Sequence, residues 1–357
     1  MGKFVKSSIR WRHKDVLVTG GASFIGSHLV DALIDRGAAV RVADDLSSGV
    51  KANLNRHFGS SRFEFVEADL RDPLCARSIV ADMDIVFHLA ADHGGRGYID
   101  THQVACAGNF GLDSVVFRAC AALQVEKIIY ASSGCVYPPT LQADPRCEIF
   151  LREEDVGPPY EADKVYGWAK LMGELTLATY AQETSIQTAS CRLFTAYGER
   201  CDESHAVIAM IARAFIGQDP FLVWGDGEQI RNWTYVGDVV EGVIRTAEMI
   251  GDGSAVNIGT MERIRVLDVA QEVLRFTGLD AEIHLQRDMP TGPRNRVADT
   301  RRASELLGWR PETSFLDGLH QTIDWYFAEK NREAVRATLE AKLFERPKAE
   351  SIDQNQV

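Results

Sequence analysis

The sequence predicts a doubly wound α/β fold, a parallel sheet covered by helices on both faces, with a smaller α/β lobe attached. Three observations predict it. Short apolar runs alternate with amphipathic helical stretches, a glycine turn joins the first run to its helix, and acidic residues close the second run. No internal repeat, heptad or low-complexity tract competes with this reading.

Taken in order, Met1 to Lys14 is basic and lacks an apolar run, so residues 1–13 are expected to be a disordered lead, neither signal peptide nor membrane span. Asp15 to Thr19 is the first strand. It runs into Gly20-Gly21-Ala22-Ser23-Phe24-Ile25-Gly26 and a helix from about Phe24 to Asp35. A strand, a glycine turn and a helix N-terminus make a pyrophosphate site, because free backbone N–H groups and the helix dipole point at it. Gly20, Ser23, Phe24, Ile25 and Gly26 are assigned to that site. The second strand, Ala39 to Ala43, ends in Asp44-Asp45. An acid about 20 residues beyond such a loop accepts both hydrogen bonds of an adenosine ribose and repels a 2'-phosphate, which favours NAD over NADP. Asp44 is the leading residue, with Asp45 as helper.

Further runs follow at Phe63 to Glu67, ending in Ala68-Asp69-Leu70, and at Asp84 to Leu89, ending in Ala90-Ala91. The next segment, Asp92-His93-Gly94-Gly95-Arg96-Gly97-Tyr98, has enough glycine for close backbone approach. Long helices are expected over Thr101 to Leu123 and Ala162 to Gln182. Between them a buried strand, Lys127 to Ala131, leads to Ser133 and Cys135. The second helix carries Tyr166 and Lys170, four apart and so on one face. A cation about 4 Å from a phenol at an effective dielectric near 20 is worth on the order of 4 kcal/mol. That would bring Tyr166 from a free value of roughly 10 to near neutrality, where an acid or base works best.

Later, Leu193 to Arg200 leads through Asp202 to His205, where a helix begins. The second lobe carries arginines at Arg231 and at Arg294 and Arg296. A planar guanidinium suits bidentate phosphate binding. Ala303 to Pro311 reads as a closing helix and turn, an amphipathic helix starts near Phe315, and a charged, helix-prone stretch follows Asn331.

Composition restricts the class. The chain has 357 residues, 45% hydrophobic and 25% charged, enough for a large core. Seven cysteines without a Cys-x-x-Cys pair make neither a disulfide framework nor a zinc site, so no metal is expected and a reducing, cytoplasmic compartment is. A net charge of -12 argues against nucleic acid or an anionic membrane as partner.

The glycine turn after Thr19, the hydroxyl of Ser133 and the Tyr166-x-x-x-Lys170 pair together resemble the extended short-chain dehydrogenases/reductases that modify sugar nucleotides. Ser23 stands at the middle glycine of that family's turn, and a slightly altered turn is expected there. The resemblance implies a Rossmann sheet over residues 14–192, with 235–258 returning to it. It also implies a substrate lobe from 193–234 and 259–345; the polar stretch over 346–357 is expected to be a disordered tail. It places Asp69 and Leu70 beside the adenine, Ala90 at the cofactor, and Ser133, Tyr166 and Lys170 as the hydride-transfer set. The long helices would pair two copies into a homodimer.

Within the family, the glycine loop is similar to that of GDP-mannose 3,5-epimerases, implying hexose contacts for Gly94, Gly95 and Arg96. Ser133-Gly134-Cys135-Val136-Tyr137-Pro138 with Ser204-His205 is similar to the acid/base pair of GDP-4-keto-6-deoxymannose 3,5-epimerase/4-reductases. Arg231, Arg294 and Arg296 fall in segments matching phosphate-binding stretches. Thr195 stands where the family has an asparagine that contacts substrate. The expected activity is inversion at carbon 3, carbon 5 or both of a nucleoside-diphosphate sugar through a transient 4-keto intermediate, with a GDP-mannose-like substrate favoured. A 4-epimerase, decarboxylase or dehydratase, and a non-catalytic NAD-binding protein, are the alternatives.

Overall fold

The computed structural model describes residues 9–345. In chain order its first part supplies β1 (Asp15–Thr19), α1 (Phe24–Asp35), β2 (Ala39–Asp44), β3 (Phe63–Glu67), α2 (Pro73–Val80), β4 (Ile85–His88), α3 (Arg96–Thr101), α4 (Gln103–Ala122), β5 (Lys127–Ser133), α5 (Lys164–Glu183) and β6 (Gln187–Leu193). The remainder supplies β7 (Ala196–Tyr197), α6 (Ala206–Ile216), β8 (Phe221–Trp224), β9 (Ile230–Arg231), β10 (Thr234–Tyr235), α7 (Val236–Met249), β11 (Asp252–Ile258), β12 (Ile264–Arg265), α8 (Val266–Thr277), β13 (Ile283–Gln286), β14 (Asn295–Arg296), α9 (Arg301–Leu307), α10 (Phe315–Glu329) and α11 (Arg332–Lys342).

The main sheet has seven strands in the order β3-β2-β1-β4-β5-β6-β11. Every pairing in it is parallel. A parallel sheet is covered on both faces, and the side chains divide accordingly. In β1, Val16 and Val18 face a core shared with α1, α7 and α9, while Leu17 faces a core shared with α2, α4 and α5. That alternation is the strand period of two. Strand order reverses between β1 and β4, so a crevice opens at their carboxyl ends. A second core surrounds α6, which is buried from Val207 to Phe215 and packs against α8, α10, α11 and β8.

Three expectations are corrected. The supposed disordered lead contains, in its described part, a 3-10 turn over Trp11–His13. Trp11 is buried against the sheet, and its indole N–H donates to Glu248 at 2.9 Å. Ala303, Leu307 and Trp309, placed from sequence in the second lobe, pack into the sheet core beside α7. The helix expected from Thr101 is broken at His102, whose backbone (φ -115°, ψ 50°) separates α3 from α4. α3 carries Gly97 against the C-terminus of α11, where a β-carbon would lie 2.4 Å from the Leu343 carbonyl oxygen. Residues 346–357 and 1–8 lie outside the described residues. Among those described, no helix is long and apolar enough to cross a membrane.

Candidate active site

A cavity of about 880 Å³ runs from the carboxyl ends of β1 and β4 into the second lobe. Its first end is built from backbone. Gly20 has φ +69°, and a β-carbon there would lie 2.9 Å from the Ala90 nitrogen. One on Gly26 would lie 2.2 Å from the Gly20 carbonyl oxygen. Ser23, the N-cap of α1, spends no side-chain hydrogen bond on the helix terminus. Asp44, at the end of β2, is fixed by amides of Ala22 (2.9 Å to Oδ2) and Leu46 (2.9 Å to Oδ1). Asp69 pairs with Arg71 at 2.8 Å, and that hydrogen bond holds its carboxyl below the ordinary range. Phe24, Ile25, Leu70 and Ala90 also line this end. A cradle closed to any β-carbon, an unspent helix N-terminus and a fixed carboxylate at the second strand fit a dinucleotide.

At the middle of the cavity, Ser133 ends β5 and Tyr166 lies in the first turn of α5. The Ser133 Oγ accepts the Cys135 amide at 3.1 Å and shares a hydrogen bond with the Tyr166 phenol. The expected tuning of Tyr166 is not what the geometry gives. Burial, then the neighbouring Cys135 and Cys106, push its pKa well up. The Lys170 Nζ lies 5.9 Å from the Tyr166 ring centre but only 4.6 Å from that of Tyr130. Burial lowers the Lys170 pKa, and Asp113 is the first of the acids opposing this. Asp113 belongs to a buried polar chain that sequence reasoning missed. Thr19 Oγ1 and His88 Nδ1 are 2.8 Å apart, His88 Nε2 and Asp113 Oδ1 3.1 Å, and the Tyr130 hydroxyl donates to Asp113 at 2.5 Å. Its one signal was an acid on the buried side of α4.

The far end is made of side chains. Cys135 is buried, and its sulfur receives a hydrogen bond from Arg296 Nη1 at 3.2 Å. Arg296 also donates to Gln142 at 2.7 Å and to Asp163 at 2.9 Å. The same Asp163 oxygen accepts from Arg96 at 2.7 Å, and Asp100 takes the rest of that guanidinium. Asp163 and Gln142 were not singled out in the sequence, where neither belongs to a motif. Arg231 lines the cavity with its donors on the Ile230 and Thr291 carbonyls. Burial, then Arg296 and Arg96, lower the Arg231 pKa, so three cations crowd one wall. Arg294 does not reach the cavity: it pairs with Asp226 at 2.7 Å on the side of the lobe.

His205 is the N-cap of α6, with its side chain 23% exposed. Its Nδ1 lies 3.3 Å from the Ser204 hydroxyl and 3.5 Å from Asp202. Burial opposes charge on the ring, but Cys201 and Asp202 outweigh it and hold the pKa well above the usual histidine value. The glycine loop is shaped first by its own chain. A β-carbon on Gly95 would sit 1.7 Å from the Ser204 carbonyl oxygen, and one on Gly94 would strike the Tyr98 side chain. Thr195 lines the cavity and gives its carbonyl to the Thr234 amide at 2.9 Å. His93, which no sequence argument selected, stands between Tyr166 and His205, with ring centres 6.2 and 6.3 Å away. Among the described residues, no group of three His, Cys, Asp or Glu could hold a metal ion.

Comparison with known proteins gives the family. Residues 16–259 match the NAD dependent epimerase/dehydratase family. GDP-mannose 3,5-epimerase 1 of Oryza sativa subsp. indica is 31% identical over 328 residues, covering 90% of this chain and 84% of that protein. UDP-glucuronic acid decarboxylase 2 of Arabidopsis thaliana is 30% identical over 309 residues, covering 85% of this chain and 66% of its relative's length. Among solved structures, the UDP-glucose 4-epimerase of Thermotoga maritima with UDP-glucose superposes with a TM-score of 0.78 at 30% identity, covering 87% of this chain and 98% of that one. The Thermus thermophilus UDP-glucose 4-epimerase complex with NAD gives 0.78 at 26%, covering 88% and 100%. The glycine cradle, the Ser133/Tyr166/Lys170 set and these matches make the chain an enzyme of the NAD-dependent epimerase/dehydratase family.

Proposed function

We propose that this enzyme inverts carbon 3, carbon 5 or both of a nucleoside-diphosphate sugar, with a GDP-mannose-like substrate favoured. The observation that carries the reading is convergence: Cys135 and His205 open on the same cavity as Tyr166. A 4-epimerase needs only the hydride-transfer set, whereas an enolisable ketone needs proton donors and acceptors beside it. When bound, NAD supplies a hydride acceptor at carbon 4 and later returns the hydride.

The chain's own residues do the rest. Tyr166, hydrogen-bonded with Ser133, takes the carbon 4 hydroxyl proton and gives it back. Its raised pKa means that it holds its proton until a positive charge is placed beside it, as the oxidised cofactor's ring would be. Lys170 supports the same end of the cavity. Once carbon 4 is a ketone, the hydrogens on carbons 3 and 5 become acidic, and Cys135 and His205 exchange protons there. Negative charge developing on the Cys135 sulfur meets the Arg296 guanidinium at 3.2 Å. Arg231 and Arg296 take the diphosphate, which relieves the crowding of cations on that wall.

The helices α4 and α5 leave Val104 (90% exposed), Phe110, Trp168 and Met172 in the open. That apolar face supports a homodimer formed across it. A cytoplasmic location fits the free, mostly buried cysteines.

The test is proton exchange from heavy water into GDP-, ADP- and UDP-sugars, read by NMR for wild type, Cys135→Ser and His205→Asn. Deuterium at carbon 3 or 5, reduced about 100-fold or more in either variant, supports the reading. Product formed without ring deuterium would confine the chemistry to carbon 4, as in a 4-epimerase. Loss of carbon dioxide from UDP-glucuronic acid would instead make it a decarboxylase.

A further inference from the structure

We propose that His93 is a further acid/base residue of the site, exchanging protons with the sugar ring on the His205 side. The inference rests on the function proposed above. Carbons 3 and 5 are each bonded to carbon 4, so a base acting at either must stand beside Tyr166. His93 does: its ring centre is 6.2 Å from that of Tyr166 and 6.3 Å from that of His205, and it lines the cavity. An imidazole is the side chain suited to take and return a proton near neutral pH.

His205 alone is poorly suited to that half of the work. Asp202 and Ser204 lie within 3.5 Å of its Nδ1, and Cys201 and Asp202 raise its pKa, which suits it better to giving a proton than to taking one. The His93 ring beside it supplies a second, separate acceptor on that face.

The backbone around His93 is fixed, as a catalytic group requires. The Asp92 amide donates to Asn109 at 2.6 Å, Asn109 Nδ2 donates to the Asp92 carbonyl at 2.9 Å, and the Tyr98 hydroxyl donates to the Asp92 carboxylate at 2.8 Å. On the other side, the Gly95 amide donates to the Ser204 hydroxyl at 3.1 Å. The loop carrying His93 is thus tied to the segment carrying His205, which sets the spacing of the two rings.

The step balances. The C–H bond beside the 4-ketone breaks, its electron pair passes into the enediolate, and the proton goes to His93. The Cys135 thiol returns a proton to the carbon. The site resets when His93 loses its proton to water and Cys135 regains one from it.

The test uses the NAD-loaded enzyme in heavy water with whichever of GDP-mannose, ADP-mannose or UDP-glucose reduces its bound cofactor. Two signals are followed: transient absorbance of reduced cofactor, and deuterium at carbons 3 and 5. His93→Gln is expected to keep cofactor reduction within about threefold of wild type and to lose ring exchange by about 100-fold or more. His93→Ala is expected to regain exchange, about tenfold, with added imidazole. Ring exchange within threefold of wild type in His93→Gln overturns the inference while leaving the proposed function standing. So does a parallel fall of both signals without imidazole rescue, which would mark a packing role. Wild-type enzyme that exchanges no ring hydrogen, with or without cofactor reduction, overturns the proposed function and this inference together.

Discussion

The two ends of the cavity are held by different physics. The cofactor end is built mainly on one stretch of chain, β1 to β2, closed by Ala90 after β4, and backbone packed closely around Gly20 and Gly26 sets its shape. The far end, to which the proposed function assigns the sugar, is assembled from segments as distant as Gly94 and Arg296, and ion pairs hold it together. The first construction rests on close backbone contacts that leave little room for substitution. The second can be retuned one residue at a time, which is how one family can share a cofactor and differ in substrate.

The largest expected effect breaks the cofactor end alone. Gly26→Ala places a β-carbon 2.2 Å from one backbone oxygen and 2.8 Å from the Gly21 α-carbon, so the turn and helix must separate. NAD affinity measured by calorimetry is expected to fall about 100-fold or more, roughly the 2.7 kcal/mol or greater that two tenfold steps represent. NAD binding within threefold of wild type would mean that the cradle yields, and the contrast drawn above would be wrong.

A smaller effect is expected at the other end from Asp163→Asn. The change leaves Arg96 and Arg296 facing one another without their shared carboxylate, and breaking a buried ion pair costs about 3–5 kcal/mol. Sugar-nucleotide KM should rise while NAD affinity stays within about twofold, the reverse of the glycine variant. The acid dependence has a definite sign. Burial raises the Asp163 pKa, but Arg296 and Arg96 outweigh it and leave it below the ordinary carboxylate value. A depressed folded pKa stabilises fully above the unfolded value near 3.9 and is lost as pH falls through the folded one. Chemical denaturation at pH 7 and at pH 3 should therefore show the gap between wild type and variant narrowing in acid.

The same contrast explains what could be read from the sequence. Turn, helix start and acid at the second strand are local, and Gly20, Gly26 and Asp44 stand where spacing put them. Ser133, Cys135, Tyr166 and His205 were legible as motifs, and the cavity brings them together. Their electrostatics were not legible. A spacing of four on a helix says that Tyr166 and Lys170 share a face, but the Tyr130 ring and Asp113, reached through other strands and helices, decide where the ammonium lies. Asp163 precedes α5 as an ordinary cap would, and only its distance from Arg296 gives it a role. Arg294 and Arg296 are two residues apart and alike in sequence, yet one meets Asp226 and the other Cys135. His93 carries no signal except its place in a glycine loop.

The smallest effect sharpens the comparison within the sugar end, between an ion pair that holds structure and one that sets a charge. Asp202 lies beside His205 but is half exposed, so Asp202→Asn should cost only about 1 kcal/mol of stability. Its consequence is electrostatic. The folded His205 pKa is raised, so its contribution is fully present below the unfolded value near 6.5 and is lost as pH rises through the folded one. In the variant the ring should titrate at lower pH by NMR, and the stability difference from wild type should shrink on the alkaline side. If the function proposed here holds, the lowered His205 pKa lets the ring take a proton more readily than in wild type. The variant would then depend less on His93 than wild type does, and His93→Gln should cost less ring exchange in the Asp202→Asn background than alone. Equal costs in both backgrounds would mean that the two imidazoles act independently, and that the charge on His205 is not what makes a second base necessary.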